Sequence, residues 1–130
     1  MSKTIYFCAG WFTDKQNQAY QAAMTAIKQN PTIDVENSYV PLQHQYKNIR
    51  VDEHPEYLHD KEWATATFKG DCLGVTTTDV TLAVYIPDEE WGKPINLMSW
   101  GFADNAIKMS ELASFNFNQP SFNFYEGAVY

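Results

Sequence analysis

The sequence predicts an α/β fold on a parallel sheet, and three observations carry that expectation. Runs rich in β-branched and aromatic residues recur at 3–12, 32–42 and 80–86, and patterns of helical period lie between them. At 130 residues, 45% hydrophobic and 15% aromatic, the chain is sized for one core, so residues 1–130 are expected to form a single domain.

The first run, "KTIYFCAGWF", closes on Gly10, as a central buried strand does when it meets a loop. Thr13 and Asp14 can each cap a helix. The run "DKQNQAYQAAMTAIKQNP" then sets Ala19, Ala22, Ala23, Ala26 and Ile27 along one stripe and stops at Asn30-Pro31. "TIDVENSYVPL" reads as a second strand ended by Pro41, and the polar "QHQYKNIRVDEHPEY" reads as a functional surface loop. From Tyr57 to about Leu73 the pattern is helical again, with Leu58, Trp63, Ala64, Thr67 and Phe68 as its apolar face. Asp71, Gly74 and Thr76 to Thr78 then close that helix, and Val80 to Ile86 form a third strand of the buried, parallel-sheet type.

The resulting βαβαβ order predicts right-handed crossovers between parallel neighbours. After the third strand the alternation fails. A further parallel strand needs about a dozen connecting residues or more, yet only "PDEEWGKP" separates Ile86 from the next apolar residue. "INLMSWGFADNAIKMSELASF" reads as irregular and helical cover. The aromatic-rich tail "FNFNQPSFNFYEGAVY" has to pack on this subunit or on another one.

A net charge of −7 and a pI near 4.7 give little positive field for a phosphate backbone, so no nucleic-acid partner is expected. No apolar run reaches the roughly 20 residues of a membrane span, and the first ten residues lack a signal-peptide core. The expectation is a soluble, cytoplasmic protein with no membrane partner. Cys8 and Cys72 are expected to be buried, reduced thiols, with a disulfide as the alternative.

No Walker loop, GxGxxG, HExxH or CxxC pair is present. His54 and His59, with Asp52 or Glu53, are conceivable metal ligands, but loop histidines that only hydrogen-bond are far commoner; no metal is assigned. Carboxylates offer more. Ligands of open α/β sheets bind outside the carboxyl ends of the strands, where Tyr6 to Phe12, the Gln43–Tyr46 loop, Asp71 and the Asp88–Glu90 group would converge. Aromatic walls with an amide and acids suit a planar base attached to a sugar. The plainer alternative is that Asp71 ends its helix and Asp88 to Glu90 are solvated turn acids.

The stretches "KTIYFCAGWFTDKQNQAY", "NPTIDVENSYVPLQHQYKNIRVDEHPEYLHDKEWATATF", "DVTLAVYIPDEE", "GKPINLMSWG" and "FNFYEGAVY" closely resemble the nucleoside 2-deoxyribosyltransferases of lactobacilli, the type that exchanges purines and pyrimidines. That resemblance implies a doubly wound, flavodoxin-like parallel sheet, a homohexamer whose subunits complete one another's sites, and a role in nucleotide salvage. It also implies 2′-deoxyribonucleosides and free nucleobases as substrates, with no cofactor. In the family a glutamate attacks C1′, the base departs, and a second base attacks the covalent deoxyribosyl-enzyme, as in retaining glycoside chemistry.

By position, Tyr6 resembles the tyrosine that hydrogen-bonds the nucleophile, and Asp71 the aspartate that exchanges a proton with the base. Trp11, Phe12 and Gln45 match the wall and amide around base and sugar. Asn96 and Met98 resemble residues that a neighbouring subunit contributes, and Tyr130 the C-terminal residue whose carboxylate reaches the site. The departure lies after "YIPDEE". There the family has a second aspartate, a glycine-rich turn, the helix carrying the nucleophilic glutamate, and another strand ending in its own "IPDE"-like run; here "WGKPINLM" follows directly. The sheet is therefore expected to lack one helix and one strand after the third strand. The alternative reading of function is a catalytically dead or weakly hydrolytic relative that retains nucleobase binding and oligomer surfaces.

Overall fold

The computed structural model describes residues 2–86 and 104–119. Within them the order is β1 (Ile5–Cys8), α1 (Asp14–Gln29), three short 3-10 turns between Pro41 and His59, α2 (Lys61–Thr77), β2 (Val80–Ala83) and a last 3-10 turn at Met109–Glu111. The fold is α/β with a parallel sheet, as the sequence predicts. β1 and β2 pair in parallel, Ile5 opposite Val80 and Cys8 opposite Ala83.

The expected second strand, within residues 32–42, is reduced to two isolated parallel bridges on the other edge of β1, Lys3 to Ile33 and Tyr6 to Tyr39. The spacing explains the reduction. Between the bridges β1 advances three residues and its neighbour six, so the facing chain has to loop out. Ser38 seals the loop: its Oγ accepts from Ile5 N at 2.9 Å and donates to Asp34 O at 2.6 Å, replacing ladder bonds that the looped backbone cannot make. Phe7 N to Tyr39 O and Tyr39 N to Ile5 O, both 2.8 Å, then restore the pairing. β1 is thus held on both edges, as a central strand.

α1 begins with a capping box. Thr13 Oγ1 accepts from Gln16 N at 3.1 Å, while Gln16 Oε1 accepts from Thr13 N at 3.2 Å and from Phe12 N at 2.7 Å. Its buried stripe is Tyr20, Ala23, Met24 and Ile27, together with Ala26; of the expected alanines, Ala22 is exposed and Ala19 half-buried. Along this i, i+3, i+4 and i+7 stripe the larger Tyr20, Met24 and Ile27 fill the space that the alanines leave. They close over Ile5 and Phe7, with Tyr20 meeting the Phe7 ring edge-on at a centroid distance of 5.2 Å.

Leu112 and, in the described start of the aromatic tail, Phe117 seal the same core. Asn30, 3% exposed, ties it down by donating Nδ2 to Leu112 O at 2.7 Å and Phe115 O at 2.8 Å. Burying this amide costs little because both donor directions are satisfied.

α2 starts at Lys61 rather than near Tyr57, because Asp60 caps it by accepting from Trp63 N at 2.9 Å, and Pro55–His59 forms a separate turn. It also runs on to Thr77. The Thr76, Thr77 and Thr78 hydroxyls donate to the carbonyls of Cys72, Leu73 and Gly74, which occupies acceptors of the last turn. Asp71 therefore lies inside α2 and does not end it. Of the expected apolar face, Trp63 and Thr67 turn inward, whereas Phe68 is 69% exposed. β2 is half-buried at Val80 and Leu82 and exposed at Thr81 and Ala83, so it is covered on one face only. Cys8 and Cys72 are exposed thiols, against the expected burial. No helix of the described residues is long and apolar enough to cross a membrane.

Candidate active site

The inner face of α2 is made of small residues at the spacing of successive turns, and that opens the site. A Cβ on Gly74 would stand 2.5 Å from Tyr39 Cδ1 and 2.8 Å from Tyr6 Cδ2, and one on Gly70 would stand 3.1 Å from Tyr39 Oη. Glycine costs a helix interior roughly 1 kcal/mol against alanine; here it admits the Tyr39 ring onto the helix backbone. Tyr39 lies parallel to Tyr6, at a centroid distance of 5.6 Å and 14° between planes, and flat against His44 at 4.3 Å and 8°. Three rings thus stack beside α2.

At one end of this stack the Tyr6 hydroxyl and the Asp71 carboxyl lie close enough to shift one another's titration. Burial, followed by the neighbouring Asp71 charge, pushes the Tyr6 phenol far above its ordinary range, so it remains a hydrogen donor at any physiological pH. Burial raises the Asp71 carboxyl, and the Tyr6 hydroxyl opposes that by stabilising the ionised form. The pair therefore holds an acid that can carry a proton at higher pH than an ordinary aspartate. Burial raises Tyr39 as well.

Asp71 opens into a cavity of about 210 Å³. Trp11, Phe12 and Trp63 supply its aromatic wall, and Gln45, His44 and Asp71 its polar edge. Local structure orients each part. The α1 capping box holds Phe12 N, and Asn17 Nδ2 donates to Trp11 O at 3.2 Å, so the two rings stack at 5.4 Å on a fixed backbone. Gln45 Nε2 donates to Pro41 O at 2.9 Å, an acceptor that only the NH2 end can serve. Gln45 Oε1 is left as an acceptor toward the cavity. A broader depression of about 540 Å³ along Lys61, Glu62, Thr65 and Lys69 has no aromatic wall and lies on the outer side of α2.

The structure thus brings together Trp11, Phe12, Gln45 and Asp71, with Tyr6 joined through Asp71. Asn96, Met98 and Tyr130, and the acids Asp88 to Glu90, lie outside the described residues. Tyr39, His44 and Trp63 were not singled out as site residues; the two glycines four apart on one helix face were the available signal for Tyr39. Of the conceivable metal ligands, Asp52 Oδ2 is held by Arg50 Nη2 at 2.7 Å and His54 Nδ1 faces Glu56 at 3.3 Å, so both are engaged within their own loop.

Comparison with known proteins supplies a family for this arrangement. The family model described as nucleoside 2-deoxyribosyltransferase matches residues 5–106. The chain is 61% identical to a nucleoside deoxyribosyltransferase of Lactobacillus leichmannii, covering 98% of each chain, and 59% identical to one of Lactobacillus johnsonii, covering 94% of this chain and 99% of the relative. One from Limosilactobacillus fermentum is 34% identical over 65% of this chain and 50% of the relative. The alignment with the L. leichmannii protein spans 154 positions, 24 more than the 130 residues available, so at least that many of its positions face a gap. With its fold, its cavity and these matches in agreement, the chain belongs to the nucleoside 2-deoxyribosyltransferase family.

Proposed function

We propose that the cavity beside Asp71 binds the nucleobase of 2′-deoxyribonucleosides and that the chain serves exchange of that base for another. The observation that carries this reading is the Tyr6–Asp71 pair opening into an aromatic cavity: a flat wall for a planar ring next to a carboxyl whose burial favours its protonated form. Protonated Asp71 gives its proton to the departing base, and ionised Asp71 takes one from the incoming base. Tyr6 steadies the ionised state between those steps. Trp11, Phe12 and Gln45 hold the base and sugar, Asn96 and Met98 complete the sugar end from a neighbouring subunit, and the carboxylate of Tyr130 reaches the site. Residues 1–130 act as one domain in a cytoplasmic homo-oligomer, a hexamer on the family pattern, without a cofactor.

A second reading has a specific observation in its favour. Among the described residues that line the cavity, Asp71 is the sole carboxylate, and at least 24 positions of the L. leichmannii relative have no counterpart here. An acid without a nucleophile binds bases and does not exchange them. Incubating the chain with thymidine and adenine separates the two. Deoxyadenosine formed well above a buffer blank supports exchange; stabilisation by adenine with no deoxyadenosine identifies a base-binding relative. Failure of any base or nucleoside to bind overturns both.

A further inference from the structure

His44 is a loop histidine, and most such residues are simply solvated. Two observations set this one apart. Its ring lies flat on Tyr39 at 4.3 Å and 8°, and Tyr39 is itself clamped between Tyr6 and the Gly70–Gly74 face of α2, so the imidazole has a fixed support. The ring forms part of the cavity lining, next to Gln45 and on the same cavity as Asp71. Gln45 gives one amide hydrogen to Pro41 O and keeps Oε1 and a second N–H, and Asp71 lies beside Tyr6. A nucleobase carries ring nitrogens that accept hydrogen bonds as well as amino groups that donate them. Gln45 Oε1 can answer an amino group. The imidazole N–H is a donor of the same lining as Trp11 Nε1 and Tyr46 Oη that can answer a ring nitrogen, and the Tyr39 stack is what gives it a fixed position.

We propose that His44 is a specificity-determining residue, donating a hydrogen bond to a ring nitrogen of the bound base and so selecting bases that present an acceptor there. This rests on the nucleobase reading of the cavity. Stacking on Tyr39 restrains the imidazole before the base arrives, so less side-chain freedom is lost on binding.

The test uses the full chain and its own fluorescence, because Trp11 and Trp63 line the cavity. Adenine and analogues in which one ring nitrogen at a time is replaced by CH are titrated against the parent chain and His44→Phe. The variant keeps a flat ring on Tyr39 and loses the N–H. A neutral hydrogen bond is worth about fivefold to tenfold in affinity. The parent is expected to bind one analogue weaker than adenine by about that factor, and His44→Phe to bind adenine and that analogue alike. His44→Gln, which restores a donor, is expected to recover part of the discrimination. Discrimination unchanged in His44→Phe, or absent from a parent chain that does bind adenine, overturns the role of His44 alone. No quenching of the parent by any base overturns the cavity reading along with it.

Discussion

The two faces of the central strand β1 are built for different ends. On the α1 face, Ile5 and Phe7 are buried under Tyr20, Ala23, Met24 and Ile27, and the chain returns at Leu112 and Phe117 to close the packing. On the α2 face, Tyr6 is buried and Cys8 exposed, Gly74 is the fully buried residue of α2, and Phe68, Leu73 and Val75 stand in solvent. The first face is apolar and filled. The second carries the stacked rings, the acid and the cavity, under cover that stops at the inner edge of one helix. Packing is concentrated on the α1 face, which leaves the other free to keep a desolvated acid and open space that a well-packed core excludes.

The largest test of that division is Phe7→Ala. Removing a fully buried ring from the filled face should cost about 3–5 kcal/mol, read as a loss of Tm or of the denaturant midpoint. A cost below about 1 kcal/mol would mean that this face is not the stabilising core. Next is Gly74→Ala, where the new methyl must displace Tyr39 and Tyr6. The expected cost is about 1–3 kcal/mol in spite of alanine's better helix propensity, with loss of adenine binding as well. Gain of stability with binding intact would show that the close approach of Tyr39 to α2 does not shape the cavity.

The acid gives a smaller effect with a definite sign. Because burial raises Asp71 above its unfolded value, the folded chain holds a proton that the unfolded chain has already released, so stability falls as pH rises from the ordinary aspartate range through the raised one. Asp71→Asn should flatten that part of a Tm-against-pH curve and gain stability at neutral pH, while base exchange is lost. An unchanged curve would place Asp71 in an ordinary aqueous setting. Phe68→Ala, on the outer face of α2, should change the stability of the isolated subunit by no more than about 0.5 kcal/mol. A cost several times larger that grows with protein concentration would mean that a second subunit covers this face.

Much of the filled face could be read from residue order. Thr13 and Asn30 mark the ends of α1 through capping chemistry that is local in sequence, and the β1 run ends at Gly10 as expected. Side-chain choice along α1 was less legible: an alanine stripe looked sufficient, whereas the space over Phe7 is filled by Tyr20 and Met24. The second strand was misread because composition reports β-propensity and not register; the six-against-three mismatch between Ile33 and Tyr39 depends on where β1 lies.

On the open face, Gly74 and Asp71 looked like a helix end because glycine and aspartate are common there. The reason for Gly74 is tertiary, the Tyr39 ring resting against it. Trp11, Phe12, Gln45 and Asp71 are expected together from their place at the carboxyl ends of the strands, with roles implied by the family resemblance, and all four line the cavity. His44 belongs to the Gln43–Tyr46 loop expected at the site, but its stacking on Tyr39 leaves no mark in local sequence.

On the function proposed here, the face carrying Tyr6 and Asp71 holds a nucleobase. The most direct measurement is a fluorescence titration of the full chain with adenine, repeated on Trp63→Phe, which keeps a ring in the cavity wall, and on Asp71→Ala. Saturable quenching by adenine that Trp63→Phe diminishes in amplitude and Asp71→Ala weakens in affinity is the predicted result. Saturable binding that is indifferent to Asp71, or no binding at all, would contradict it.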